Sequence, residues 1–251
     1  MNFEIIKYEC LASTNDEARH SASNNVGKDK TIEGRTIVCN EQSSGRGQQG
    51  NKWESEPGKN LTFSIILVPK IPYDKLFMIT ECMSLAVTGA LNNIDVDSSI
   101  KWPNDIYAGE KKIAGMLSEH SFTGSNLSFS VMGVGVNVNQ KLFLSDALNP
   151  TSVVIETGNE YDKFALLDEV LNRFGYYYGL LQNRMYADIK AEYADNLYRK
   201  DGLHTYRTPS GDLFRARIKD VLYSGELILE DESGKLRQYA FKEVIFVIGD
   251  I

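Results

Sequence analysis

The stretch from Glu41 to Leu61, EQSSGRGQQGNKWESEPGKNL, constrains the fold most, because no apolar residue recurs in it at the period of a strand or a helix. It therefore predicts a long loop. A β-branched strand from Thr36 to Glu41 leads into the loop, and an apolar strand from Leu61 to Val68 leads out of it.

The residue types of this loop suit the binding of an anionic ligand. Glycines let backbone amides approach a phosphate, an arginine can grip oxyanions with two parallel bonds, and a tryptophan face can stack on a purine. These residues are Gly45, Gly47, Gly50, Arg46, Lys52, Trp53 and Lys59, with Arg35 leading into them. On the loop alone, an ordinary solvated surface segment is an open alternative.

The charge balance disfavours broad binding to polyanions. The chain has 34 acidic and 27 basic residues and a formal charge of -7, so extended contact with nucleic acid or an anionic membrane is not expected. Cys10, Cys39 and Cys82 are odd in number and lack metal-ligand spacing, which favours reduced, buried thiols. No signal peptide and no run of ~18 apolar residues is present. We therefore predict a soluble, cytoplasmic protein.

Apolar periodicity predicts strands and helices along the first 200 residues. Ser13 begins a helix through about Ser21, in which Thr14 and Glu17 have the spacing of a capping box. The other predicted elements are a strand from Phe3 to Tyr8, a loop from Asn24 to Gly34, a core helix from about Tyr73 to Asn92, a hairpin of Ile106 to Ala108 with Lys112 to Glu119, a strand from Asn126 to Val138, and helices from Asp162 to Gln182 and from Ala187 to Tyr198.

The pattern changes after about residue 200. Short strands are punctuated every ten to thirteen residues by glycine-containing turns such as Ser224-Gly225 and Ser233-Gly234. This spacing is typical of a small closed β-barrel. We therefore predict a large domain at 1–200 and a small one at 201–251, joined without a long linker.

GRGQQG at 45–50 satisfies the GxGxxG pattern and follows a predicted strand, as in a dinucleotide-binding fold. Trp53 and Pro57 stand where the following helix would begin, which decides against that fold. Gly58-Lys59 lacks the Ser or Thr of a P-loop. The chain has no GxSxG, and its histidines have no evident triad partners, so acyl-enzyme hydrolysis is not expected. These histidines, expected to be structural, are His20, His120 and His204.

Four motifs remain, in a fixed order: GRG followed by Trp53, KWPND at 101–105, KIAG at 112–115 and GVGVN at 133–137. Together they resemble the biotin protein ligases, over about residues 10–140. The combination is far more specific than any one motif. The resemblance implies an α+β fold of the class II aminoacyl-tRNA synthetase/biotin synthetase-like type, with a mixed, largely antiparallel sheet flanked by helices and a small C-terminal SH3-like β-barrel.

The resemblance also implies the reaction. A biotin protein ligase activates biotin with ATP to biotinyl-5'-AMP and pyrophosphate, then transfers biotin to a lysine of the biotin carboxyl carrier protein of a carboxylase. The expected partners are therefore biotin, ATP and the carrier protein, with no nucleic acid and no membrane. A homodimer is left open.

Individual roles follow from the same resemblance. Arg46, Lys112 and Asp105 are the expected catalytic residues. The residues expected to bind biotin are Ser13, Thr14, Asn15, Gln42, Arg46, Gly47, Gln48, Lys112 and Gly115. Those expected to bind the nucleotide are Arg46, Lys52, Trp53, Asn104, Lys112, Gly133, Gly135 and Asn137. Mg²⁺ is expected to be held with ATP near Asn104, without a dedicated all-protein metal site.

The chain departs from the family pattern in two places. Many members carry arginine or lysine where this chain has Gln48 and Asn51, so the hypothesis is that it releases the adenylate more readily than an arginine-bearing relative. No helix-turn-helix precedes Ser13, so a repressor role on DNA is not expected.

Two rival functions share part of the pattern. A lipoate or octanoate protein ligase has the same catalytic fold, but would be expected to show a different arginine-glycine signature and no KWPND. A noncatalytic biotin- or nucleotide-binding module is the second rival, and the presence of both Arg46 and Lys112 argues against it.

Overall fold

The computed structural model describes residues 1–25, 27–28, 32–144 and 149–248. Two β-sheets dominate it, one of seven strands and one of five. The strands are β1 (Glu4–Leu11), β2 (Arg35–Gln42), β3 (Leu61–Leu67), β4 (Ser98–Lys101), β5 (Asp105–Ala108), β6 (Lys111–Thr123), β7 (Asn126–Val136), β8 (His204–Arg207), β9 (Leu213–Val221), β10 (Leu227–Asp231), β11 (Leu236–Tyr239) and β12 (Ile245–Phe246). The α-helices are α1 (Thr14–Asn25), α2 (Phe77–Asn92), α3 (Val153–Thr157), α4 (Lys163–Gln182) and α5 (Tyr186–Asp195).

The seven-stranded sheet has the order β1-β2-β3-β7-β6-β5-β4. Strands β1 and β2 are parallel, and every other neighbouring pair in this sheet is antiparallel. The central strand β3, LTFSIIL, is buried along its whole length, as expected for a strand covered on both faces. The predicted fold, a mixed and largely antiparallel sheet, is confirmed.

Helix α2 forms the core beside this sheet. It is apolar on nearly all sides and packs against α4 and α5, because a helix that is hydrophobic all round must be buried. One charged residue, Glu81, lies in it with no exposed surface. A one-turn 3₁₀ helix at Tyr73–Lys75 precedes α2, so the predicted core helix is confirmed with a later start.

Three local predictions need correction. The capping box of Thr14 and Glu17 is not formed, because the Thr14 hydroxyl bonds to Gln42 and Glu17 accepts from Tyr8. Cys10 is exposed rather than buried, since it lies on the edge strand β1. Helix α1 continues past Ser21 to its end at Asn25, and the predicted loop after it, Asn24 to Gly34, lies partly outside the described residues.

The second sheet is antiparallel throughout, in the order β11-β10-β9-β8-β12, as expected for a small barrel-like domain. Two of its contacts with the rest of the fold are hydrogen bonds, one from the turn after β4 and one from α5. Trp102 Nε1 donates to Gly225 O over 2.8 Å, and the Lys190 ammonium lies between Glu81 and the Val221 carbonyl. The predicted division at residue 200 stays a prediction. In the described residues, no helix is long and apolar enough to cross a membrane.

Candidate active site

A cavity opens on one face of the seven-stranded sheet, under the loop that contains Gly45 to Trp53. Arg46 and Lys112, which are 66 residues apart in the chain, both line it. Its described lining residues are Ser13, Thr14, Asn15, Gln42, Arg46, Gly47, Gln48, Asn51, Lys52, Trp53, Lys101, Pro103, Asn104, Asp105, Lys112, Gly115, Met116, Leu117, Gly133, Val134, Gly135 and Phe241. The loop, helix α1, the five strands β2, β4, β5, β6 and β7, and the segment between β11 and β12 therefore all contribute to one space.

Strand register sets the floor of this cavity. Lys101, Asp105, Gly115 and Gly135 are paired in one row across β4, β5, β6 and β7. Directly paired residues point to the same face of a sheet, which is why all four line the cavity. With neighbouring strands about 4.8 Å apart, the row spans roughly 14 Å. The cavity therefore has the shape of a track across the sheet.

A bulge in β6 turns Lys112 toward this row. Asp105 pairs with Gly115 and Tyr107 pairs with Lys112, so two steps along β5 correspond to three along β6. Without the extra residue, alternation would point Lys112 to the face opposite Gly115. Instead, Lys112 Nζ lies 2.6 Å from Asp105 Oδ1. The bulge therefore brings the predicted catalytic cation and carboxylate together.

The backbone of Lys112 is braced from the side by a separate segment. Lys112 N donates to Asn149 O over 2.8 Å, and Thr151 N donates to Lys112 O over 2.9 Å. Asn137 Nδ2 donates to Thr151 O over 2.9 Å. Asn137 is buried and is absent from the lining of the cavity. Its side chain therefore supports the strand that carries Lys112.

Glycines on β6 and β7 leave room for Trp53. A Cβ on Gly135 would lie 2.4 Å from the indole ring, and one on Gly115 would lie 3.2 Å from it. On Gly133, a Cβ would lie 2.0 Å from the Asn15 Oδ1 atom. Any larger residue at Gly133 or Gly135 would push out the group that lies above it. The GVGVN motif is thus explained by two close approaches, one from the loop and one from α1.

The loop is closed by its own backbone. Gly47 N donates to Asn51 O over 2.7 Å and Trp53 N donates to Gly45 O over 3.0 Å, on either side of an antiparallel bridge between Arg46 and Lys52. A one-turn 3₁₀ helix, Gln48–Gly50, forms the tip. The loop predicted from its lack of periodicity is therefore a small hairpin.

Polar groups at the start of α1 form a connected network at one end of the cavity. Gln42 Oε1 accepts from Thr14 N over 2.8 Å and from Thr14 Oγ1 over 3.2 Å. Ser64 Oγ lies 2.6 Å from Asn15 Oδ1 and 2.7 Å from Thr14 Oγ1, and its one proton serves one of them at a time. These bonds fix the orientation of the amide groups of Asn15 and Gln42.

Glu119 joins this network to the loop. Its Oε2 accepts from Asn15 Nδ2 over 2.8 Å and from Arg46 over 3.3 Å. Arg46 also donates to Asp16 Oδ1 over 2.6 Å, and Arg19 lies 3.4 Å from Glu119 Oε1. The loop is thereby tied to α1 and β6 by two carboxylates.

The turn between β4 and β5 carries KWPND, with a cis peptide bond between Trp102 and Pro103. Asn104 Nδ2 donates to Met116 O over 2.5 Å, and Met116 N donates to Asn104 O over 2.9 Å. The Asn104 side-chain nitrogen is thus used in a hydrogen bond to the backbone of β6. Trp102 points away, to Gly225 O.

The structure brings together every predicted site residue except Asn137, which lies behind the cavity. Arg35, counted among the cations of the loop, is paired with Glu4 at 2.7 Å instead. Sequence reasoning missed Ser64, Lys101, Glu119 and Phe241. A signal for Ser64 existed, since Thr62 and Ser64 are polar at alternate positions of an otherwise apolar strand. Phe241 lies between β11 and β12, more than 100 residues along the chain from the other lining residues, so no local pattern could have predicted it.

Positive charge dominates the cavity. Arg46, Lys52, Lys101 and Lys112 line it, and Asp105 is the single acid among its described lining residues. Burial lowers the pKa of Lys101, a shift that Asp105 opposes and that Lys112 and Arg199 reinforce. In the described part of the chain, no group of three His, Cys, Asp or Glu side chains is placed to hold a metal ion. The site is therefore built for an anion.

The cavity combines a cation-lined track on one face of a mixed sheet with a glycine loop over it and a small antiparallel sheet beside it. Comparison with known proteins identifies the chain as an enzyme of the ligase class. The chain belongs to the Biotin/lipoate A/B protein ligase family, whose model matches residues 8–137. The predicted resemblance is thereby confirmed at the level of the family.

Sequence relatives carry the likeness further. The chain is 28% identical over 240 residues to the bifunctional ligase/repressor BirA of Bacillus subtilis, covering 94% of this chain and 69% of that protein. It is 27% identical to the biotin--[acetyl-CoA-carboxylase] ligase of Paracoccus denitrificans, covering 79% of this chain and 85% of that protein. The longer match leaves only about 6% of this chain uncovered.

Solved structures agree on the fold. The biotin protein ligase from Aquifex aeolicus in complex with biotin and ATP superimposes with a TM-score of 0.78 at 22% identity, covering 98% of this chain and 99% of that one. The Leishmania major enzyme in complex with biotinyl-5-AMP gives a TM-score of 0.64 at 20% identity, covering 94% and 98%. The predicted fold, a mixed sheet with helices followed by a small antiparallel β-sheet, is confirmed.

Proposed function

We propose that this protein is a biotin protein ligase, which makes biotinyl-5'-AMP from biotin and ATP and transfers biotin to a lysine of a carrier protein. The observation that carries the proposal is the shared cavity of Arg46 and Lys112, with the polar network of Thr14, Asn15 and Gln42 beside Arg46. A urea-like head group offers one acceptor and two donors, and fixed amides and hydroxyls can pair with all three.

In the first step, a biotin carboxylate oxygen attacks the α-phosphorus of ATP, and the bond from that phosphorus to the bridging oxygen of pyrophosphate breaks. Both reactants are anions, so the site must hold them in line and offset their repulsion with fixed cations. Lys112 fits this task because the bulge in β6 aims it along the track. When ATP binds, the Lys112 ammonium leaves its ion pair with Asp105 and pairs with the α-phosphate instead.

The nucleotide base has a natural partner in Trp53. The Trp53 indole packs against Gly135 and Gly115, and Lys112 Nζ lies 5.8 Å from the centroid of its ring. A base stacked on that ring would leave its phosphates within reach of Lys112. Stacking on an aromatic face is tolerant of the base but strong enough to hold it.

In the second step, a neutral lysine amine of the carrier attacks the acyl carbon of the adenylate, and AMP leaves. Asp105 is the acid in the cavity that can accept or orient the proton of that amine, at the end of the track near Lys101 and Phe241. The loop over the adenylate keeps water from the mixed anhydride.

Mg²⁺ would arrive with ATP. Magnesium is commonly held by one or two carboxylates together with substrate phosphates, and Asp105, next to Asn104, would provide one such carboxylate. The ion would neutralise phosphate charge, and the cavity supplies the rest of that neutralisation through Arg46 and Lys112.

Pyrophosphate exchange into ATP tests the proposal. Exchange that depends on biotin and is absent with lipoate is the expected result. Exchange with lipoate alone would identify a lipoate ligase, and tight binding of biotin or ATP without exchange would identify a binding module. Biotin added to a carrier domain, but not to the same domain with its acceptor lysine changed to arginine, would establish the second step.

A further inference from the structure

Lys101 is a cavity cation to which neither the motif nor the proposed chemistry gives a role. It is the last residue of β4 and the first of the KWPND segment. It belongs to the row that runs through Asp105 to Gly115 and Gly135, and it lines the cavity beside Pro103 and Phe241.

Lys101 is half-buried without a carboxylate partner. Its ammonium lies 5.1 Å from the ring centroids of both Tyr107 and Phe246, and no carboxylate of the described residues lies within 4.0 Å of it. The nearby Asp105 is already paired with Lys112 at 2.6 Å. Burying a cation without a counter-charge is costly, so the position is suited to an anion supplied from outside.

The surrounding charges favour the same conclusion. Burial lowers the pKa of Lys101 and Asp105 raises it, while Lys112 and Arg199 add further positive charge. Arg199 is paired with Glu110, 3.8 Å away in the turn between β5 and β6. The end of the track at β4 therefore has an excess of positive charge.

We infer that Lys101 binds the β- and γ-phosphates of ATP and the pyrophosphate that leaves. Lys101 and Gly115 stand two strands apart, about 10 Å across the sheet. A triphosphate whose α-phosphate is held by Lys112 over β6 would extend over β5 to β4, away from Trp53. The nucleotide then crosses the sheet in the order base, α-phosphate, pyrophosphate. This inference rests on the proposed function.

The test separates the two half-reactions. The variant Lys101→Met keeps the length and apolar stem between the two rings but removes the charge, and Lys101→Arg keeps the charge. In biotin-dependent exchange, Lys101→Met is expected to raise the KM for both ATP and pyrophosphate by roughly 10- to 100-fold, the value of a charged hydrogen bond, with Lys101→Arg restoring most of the loss. Transfer to a carrier domain from supplied biotinyl-5'-AMP, which carries no pyrophosphate, is expected to be unchanged.

Lys235→Ala, on an exposed turn of the second sheet, is the control for loss of a lysine. Unchanged KM values for ATP and pyrophosphate in Lys101→Met would overturn the inference, as would an equal loss in the transfer step, which would indicate a structural or acceptor-binding role. Absence of exchange in the unaltered protein would overturn the proposed function itself, so the two failures are distinguishable.

Discussion

Lys112 Nζ lies 2.6 Å from Asp105 Oδ1, although regular alternation along β6 from Gly115, the partner of Asp105, would place Lys112 on the opposite face of the sheet. The β-bulge opposite Ile106 and Tyr107 makes the contact. An incoming phosphate competes with that carboxylate for the lysine, and a lysine released from Asp105 leaves the carboxylate able to receive a proton. The ion pair thus joins Lys112, the cation proposed for the first step, to Asp105, the carboxylate proposed to receive a proton in the second.

Lys112→Ala is expected to lower the kcat/KM of adenylate formation by roughly 10²- to 10³-fold, because a positioned cation facing developing charge is lost. The free energy of unfolding should change by less than about 1 kcal/mol, since a partly exposed ion pair contributes little. Pyrophosphate exchange and urea denaturation measure the two quantities. The neighbouring Lys111→Ala, whose ammonium faces Glu156 outside the cavity, is the matched control. Near-normal turnover in Lys112→Ala would remove Lys112 from the mechanism.

Substitution of the two glycines of β7, Gly133 and Gly135, should affect the KM values for biotin and ATP differently. Gly135→Ala puts a methyl group 2.4 Å from the Trp53 ring and should raise the KM for ATP far more than that for biotin. Gly133→Ala puts one 2.0 Å from Asn15 Oδ1 and should do the reverse. Steady-state kinetics with each substrate varied checks the split, and Trp53→Ala should behave like Gly135→Ala.

Gly179→Ala is the control for these variants, because its added methyl group meets no atom within 4 Å in helix α4. It should leave both KM values unchanged and slightly stabilise the helix. If Gly133→Ala and Gly135→Ala raised both KM values equally, the assignment of separate ends to biotin and nucleotide would be wrong.

Gln48→Arg should slow the release of biotinyl-5'-AMP by roughly tenfold, because a cation is added to the loop where the adenylate phosphate is proposed to lie. The dissociation rate of radiolabelled adenylate from the enzyme is the measurement. Gln48→Met, of similar length and without charge, is the comparison. Equal retention in the Arg variant and the original protein would contradict the hypothesis that Gln48 and Asn51 weaken capture.

Glu81 should make stability depend on pH. Burial raises the pKa of Glu81 to about 7, although Lys190 opposes the shift. Since the folded pKa lies above the unfolded one of 4.5, its stabilising contribution is fully present below pH 4.5 and is lost as the pH rises through about 7. The unfolding free energy of the protein minus that of Glu81→Gln should therefore fall by up to about 3 kcal/mol between pH 4.5 and pH 8.

Urea titrations at pH 4.5, 6, 7 and 8 measure this difference. Glu160→Gln, which removes an exposed carboxylate, is the control. A difference between the protein and Glu81→Gln that stays constant over this range would show that Glu81 is ionised throughout, held by Lys190.

The sequence by itself determined the local elements and the family. The apolar run of β3, the alternation of β7, the apolar surface of α2 and the glycine turns of the second sheet are properties of short segments, so each could be predicted without knowing its neighbours. The same holds for the four motifs, whose order along the chain carries the resemblance.

Only the tertiary structure decided which side chains face the cavity. The bulge that turns Lys112 inward, the row that adds Lys101, and the arrival of Phe241 from the second sheet all depend on pairings between distant residues. Asn137 shows the converse, because its motif predicts a ligand contact while its hydrogen bond to Thr151 O makes it a brace. A one-residue change of register reverses the face of every following side chain. That register, including the bulge in β6, depends on the partner strands as well as on the strand itself, so the site became visible only with the sheet assembled.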